Sequence, residues 1–101
     1  MTALTGTPRQ IAWAEKIRAN MIANLQNENR LFWGGYLDCG ADLPKILGRA
    51  VCDDRLESAV DSIEDLDARR AAKRAEILKM ADEAIELVSN EKSAVWFIEH
   101  R

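Results

Sequence analysis

The chain is poor in the residue types from which most chemical sites are built. Its one histidine is His100, and its two cysteines, Cys39 and Cys52, do not stand at the paired spacing of a zinc site. No metal centre is expected, and both thiols read as free and buried. A nucleophilic cysteine needs a base beside it, which a single histidine near the end of the chain supplies poorly. Neither GxSxG, a Walker-type loop, GxGxxG nor HExxH occurs, and Gly34-Gly35 is a lone glycine pair. We therefore expect no enzymatic activity, no catalytic residue and no cofactor. Long apolar runs are missing too: the longest, Ala94 to Ile98, falls far short of the ~20 residues that cross a bilayer. The opening MTALTGTPRQ has no basic segment followed by an apolar one, so no export signal is read there. A cytoplasmic location with reduced thiols and no membrane contact follows as the expectation. The net charge of −3 is too mild for a nucleic-acid mimic and has the wrong sign for a generic nucleic-acid binder. Proline ends at Pro44 and glycine at Gly48, so Arg49 to Arg101 holds no strong helix breaker.

What is present is amphipathic helix. With 48% hydrophobic and 31% charged residues, 101 residues suit one domain with a modest core. Thr7 can cap the amide of Gln10 while Gln10 reaches back to the Thr7 amide, and Pro8 falls at the first helical position, where a missing N–H costs nothing. From there Ile11, Ala14, Ile17, Met21, Ile22 and Leu25 form one apolar stripe, flanked by Trp13. Arg18 projects within that stripe. It either snorkels or pairs with Glu15 at the edge of the core, or it contacts a partner. Residues 1–6 read as a loose leader in which Leu4 can anchor the helix start.

The string Gly6-Thr7-x-x-Gln10-Ile11-x-Trp13-Ala14-Glu15-x-Ile17-Arg18, with Ser93-Ala94-x-Trp96-Phe97-Ile98-x-x-Arg101 at the other end, resembles a pair of segments in small phage and mobile-element proteins. Some relatives of that pattern carry a cysteine-rich zinc ribbon elsewhere. Nothing of the kind occurs here, so no metal role is carried over. The resemblance implies a phage-like origin in a bacterial host cell and a first and last helix that form one unit. It implies no particular activity.

Between those ends, the first helix is expected to stop somewhere from Asn27 to Trp33. The stretch from Arg30 to Leu43 gathers Phe32, Trp33 and Tyr36 around two glycines. They either plug the open end of the core, the preferred reading, or offer an exposed platform to a partner. A short helix should begin near Asp42 and run to about Val51, with Asp53 or Asp54 capping the next. Leu56, Ala59, Val60, Ile63 and Leu66 make one stripe; Ala71, Ala75, Leu78, Ala81, Ile85 and Val88 make another, widened by Ile77 and Ala84. Residues 53–88 are either one long projecting helix, which the alanine content and an Asp65–Arg69 pair favour, or a helical hairpin broken near Asp67. The final helix, capped by Ser89, Asn90 or Ser93, should dock on Ile11, Ala14 and Ile17, with Trp96 and Trp13 as the large side chains of the shared core.

The overall expectation is a small all-α domain of about four helices. The acidic run from Asp53 to Asp67 reads as a solvated face, and the adjacent Arg69, Arg70, Lys73 and Arg74 as its charge partners or as a binding face. The residues most open to a partner are Arg69, Arg70, Lys73, Arg74, Phe32, Trp33, Tyr36 and Arg18. The expected function is a non-enzymatic phage or mobile-element protein that binds and modulates a host or phage protein complex, inhibition of an anti-phage defence system being one form of this. Alternatives are a nucleic-acid accessory protein using the basic face and the aromatic loop, and a structural homodimer of paired projecting helices.

Overall fold

The computed structural model describes residues 2–32 and 42–101. Six helices lie among them, and no strand: α1 (Pro8–Leu25), α2 (Glu28–Leu31), α3 (Asp42–Leu47), α4 (Arg49–Val60), α5 (Leu66–Asn90) and α6 (Ala94–His100). The Thr7–Gln10 capping box forms at 3.2 and 3.0 Å and starts α1 as its sequence demands. α1 ends at Leu25, earlier than expected, because Asn27 caps a separate turn by accepting from the Asn29 amide.

Gly48 decides the next boundary. Its φ of 92° is a conformation that side chains rarely adopt, so α3 stops there and α4 begins at Arg49. The caps expected at Asp53 and Asp54 therefore lie inside α4. The long continuous helix is not formed either. The chain breaks at residues 61–65, and Asp65, not Asp67, caps α5 by accepting from the Ala68 amide at 2.9 Å. Arg69 does not pair with Asp65. It donates instead to the carbonyl of Val60, the last residue of α4, and to that of Ile63 in the turn, at 3.2 and 2.7 Å, and so ties the start of α5 to the turn that precedes it.

The first and last helices pack together, parallel to one another. Gly6 lies against Ala94 at one end of that contact and Trp13 under Arg101 at the other. A Cβ on Gly6, at φ 144°, would sit 3.2 Å from that of Ala94, so the close approach needs glycine. Ala14, Val88, Ala94 and Phe97 are buried together, flanked by Ile11, Ile17 and Trp96. Phe97, not Trp13, is the large buried side chain: Trp13 is 47% exposed under the Arg101 guanidinium. The leader is tied down, not loose. Thr2 and Thr5 donate to the carbonyls of Ser89 and Lys92, the Ala94 amide donates to Thr5, and Leu4 packs on the core. Arg18 is buried within this unit, donating to the Thr2 carbonyl at 2.7 Å with its guanidinium 5.8 Å from the Phe97 ring centre.

A second cluster joins Leu25, Leu31, Leu43, Cys52 and Leu56 to Ile77, Met80, Ala81 and Ala84 of α5. The buried row of α5 is therefore Ile77, Met80, Ala81, Ala84 and Val88. Ala71 and Ala75 are exposed, and Leu78 and Ile85 only half-buried. The expected stripe was rotated, because α5 is covered from two directions, by α4 on one side and α1 on the other, and its core face is centred between them. The molecule measures 52 × 21 × 19 Å with a radius of gyration of 15.2 Å, where a compact chain of this length has about 13 Å. No helix among the described residues is long and apolar enough to cross a membrane.

Candidate partner-binding surface

The elongation comes from the hairpin of α4 and α5. The 25 residues of α5 reach about 37 Å at ~1.5 Å per residue. Its second half lies antiparallel to α1: Val88 packs by Ala14, while Ala81 and Ile85 line the same cleft as Leu25. α1 has ended by that point, so among the described residues the first half of α5 has α4 along one side and meets the start of α2 through Arg74, which reaches Glu28.

That end of α5 carries the same seam as the core. Stepping back from Ile77 by four, three and four residues gives Lys73, Arg70 and Leu66, all on the row that is buried farther along. Leu66 is 74% exposed, Arg70 is exposed and Lys73 half-buried. A core-facing row thus runs out past its cover and ends in an open leucine.

The basic cluster divides in two. Arg69 is turned into the hairpin turn, and Arg74 lies 4.3 Å over the Phe32 ring and 3.4 Å from the Glu28 carboxylate. Both are occupied within the fold. Arg70 and Lys73 make no hydrogen bond or ion pair among the described residues. Phe32 packs half-buried against the core, in keeping with a plug. Trp33 and Tyr36 lie outside the described residues, as does Cys39. Arg18 faces inward, as described. The carboxylates of Asp61, Glu64, Asp65 and Asp67 are exposed around the same turn. Sequence reasoning placed Leu66 in the core stripe. Its position directly after an N-cap, among carboxylates, was the available signal that it opens a helix at a solvent-exposed turn.

A cavity of about 160 Å³ between α1 and α3 has Ile17, Met21 and Ile46 on its walls with Asn20, Asn24 and Asp42. That is below the ~300 Å³ at which ligand pockets begin. Arg30 forks onto both oxygens of Asp42 at 3.0 Å, and this hydrogen-bonded pairing holds the Arg30 guanidinium above its ordinary pKa. Both oxygens are thus engaged. His100 stacks on Trp96 with ring centres 4.2 Å apart and donates from Nδ1 to the Trp96 carbonyl at 2.7 Å. Cys52 is completely buried, and no group of three or more His, Cys, Asp or Glu among the described residues is placed to hold a metal ion.

Compared with protein-family models, with curated proteins and with solved structures, the chain matches none.

Proposed function

We propose that this chain is a non-enzymatic interaction protein that engages a protein partner with the open end of its helical hairpin. The observation that carries this reading is the row Leu66, Arg70 and Lys73, which continues the buried face of α5 beyond the helix that covers it. An exposed leucine flanked by two uncommitted cations suits a partner surface with an apolar recess and an acidic border. The nucleic-acid reading is weaker. Arg69 and Arg74 are occupied internally, and four exposed carboxylates, Asp61, Glu64, Asp65 and Asp67, border the turn and repel phosphate. Pairing of two arms, acid to base, likewise has only Arg70 and Lys73 left to draw on.

The resemblance of the two chain ends to phage and mobile-element proteins makes the partner a component of a bacterial cell or of the phage itself. Modulation of a host complex in the cytoplasm, including one that defends against phage, is the role that fits a small binding domain. The test is capture from bacterial lysates with the wild-type chain and with Leu66→Glu side by side. A specific protein retained by the wild type and lost with the variant supports the reading. The same protein retained by both would remove the arm from it. A gel shift at low salt separates the alternative, which requires DNA or RNA binding that collapses as salt rises.

A further inference from the structure

The end of the molecule opposite the arm carries a different kind of surface. Val88, which packs by Ala14, lies about 33 Å along α5 from Leu66 by the helical rise. On α1, Arg9, Trp13, Lys16 and Asn20 recur at steps of four, three and four residues and form one exposed row. The cavity between α1 and α3 opens beside that row. Asn20 and Arg101 both line it, and Arg101 also lies 4.3 Å over the Trp13 ring. Lys45, exposed on α3, lines it from the other side.

The uncommitted side-chain charges of this face are of one sign. Arg9, Lys16 and Lys45 make no hydrogen bond or ion pair among the described residues, and the Arg101 guanidinium rests on an aromatic ring instead of a carboxylate. Asp42 is the acid on the cavity wall, and Arg30 forks onto both of its oxygens. The other acids of these helices point elsewhere. Glu15 stands about 160° round α1 from Trp13. Glu99 is exposed two residues from the buried Phe97, which puts it on the outer side of α6. Glu91, at the far end of the α1–α6 contact from Arg101, accepts from the Ser93 amide at 3.0 Å. Glu28 and Asp82 border the groove on the opposite flank of α1. Arg9, Lys16, Lys45 and Arg101 thus share a face with one carboxylate, which Arg30 already neutralises.

An apolar cavity of ~150 Å³ admits a benzene ring, so one of about 160 Å³ walled by Ile17, Met21 and Ile46 takes a single aliphatic or phenyl side chain. Arg9 and Lys16 lie outside it, and a ligand that meets them as well must be long. From Arg9 to Asn20 is about 16 Å along α1, the reach of roughly five extended residues. We propose that this face binds an acidic peptide segment of a protein partner, with one apolar side chain seated in the cavity and carboxylates on Lys45, Arg101, Lys16 and Arg9. Asn20 and Asn24, which line the cavity, donate to backbone carbonyls of that segment. Trp13 and Arg101 are of the residue types that carry most of the binding energy at protein contacts. A nucleic-acid strand fits less well. A base in the cavity would find aliphatic walls and no ring to stack on, and the Trp13 ring already lies under Arg101.

Fluorescence anisotropy of the full chain with a labelled probe peptide, six glutamates with one leucine at their centre, reads the prediction directly. Binding at low salt should weaken at least tenfold for Lys45→Glu and for Arg101→Glu, both at exposed positions, with unchanged helical circular dichroism. Asn20→Trp, which fills the cavity mouth from an exposed position, should weaken it as much, and so should a glycine in place of the probe's leucine. No binding of the probe at millimolar chain overturns the inference. So does binding that these variants leave unchanged, or that survives loss of the leucine. Single-stranded DNA that displaces the probe at a lower concentration than unlabelled peptide makes nucleic acid the occupant and overturns it too. Light scattering in which the chain alone gains mass, reversed by Lys45→Glu, makes the chain's own acidic turn the occupant, with the same result. Leu66→Glu should leave probe binding unchanged, so failure here and failure of the arm reading are separate results.

Discussion

The two halves of α5 are one unbroken helix with two different environments. The second half, from Ile77 to Val88, buries a row of apolar residues under α1 and α4. The first half has the same periodicity but carries Leu66, Arg70 and Lys73 where that row would continue. A helix is kept whole by its own backbone ladder, whereas burial is set by what arrives alongside it. Where α1 stops, α5 continues as a helix and ceases to be core. The difference predicts that stability resides in the body of the molecule and recognition at its far end.

The largest effect should come from the body. Phe97→Ala removes the biggest fully buried side chain among the described residues and should cost about 3–5 kcal/mol, measured by chemical denaturation. A loss under about 1 kcal/mol would mean that the α1–α6 unit is not the stable part. Leu56→Ala, in α4 below the hairpin turn, should cost about 2 kcal/mol, toward the low end for such truncations because a two-helix arm can relax into the gap. If it matched Phe97→Ala, the two regions would form a single cooperative core and the contrast would fail.

Asp65→Ala removes the α5 cap and should cost about 1 kcal/mol. Its signature is local. Amide exchange should quicken in the first turns of α5 and the end of α4, with α1 and α6 amides unaffected. Uniform acceleration across the chain would erase the proposed boundary. The smallest effect on folding belongs to Leu66→Ser, within about 0.5 kcal/mol of the wild type because the side chain is open to solvent. The same change should abolish partner capture. A stability loss comparable to that of Leu56→Ala would show that Leu66 is covered in solution, and would withdraw it as a contact.

Several features were legible before any coordinates. The Thr7–Gln10 capping box, the docking of the last helix on the first and the helical hairpin as one of two forms for residues 53–88 all follow from residues that act over a few positions or from strong apolar periodicity. Less was legible of the candidate surface. Arg69 and Arg74 looked as available as Arg70 and Lys73, since four basic residues in six positions are alike in sequence. They differ only in which neighbour they meet, the carbonyls of Val60 and Ile63 at the hairpin turn for Arg69 and the Phe32 ring with Glu28 for Arg74. Arg18 looked like an edge residue that would snorkel or pair with Glu15, or else one that contacts a partner. Its partner is the Thr2 carbonyl, brought close by a leader that itself bonds to the end of α5.

The sequence by itself determined where several helices start and that they are amphipathic. A cap is satisfied by a side chain three residues from the amide it serves, and a stripe needs only the 3.6-residue period. The tertiary structure decided which row of α5 is buried, that Phe97 and not Trp13 fills the joint between the ends, and that the last of the core row is left uncovered. Those outcomes depend on how far α1 reaches along α5, on a glycine at position 6 that lets α6 approach, and on a turn at residues 61–65 that folds α4 back. Burial is a property of neighbours, and the neighbours come from distant parts of the chain.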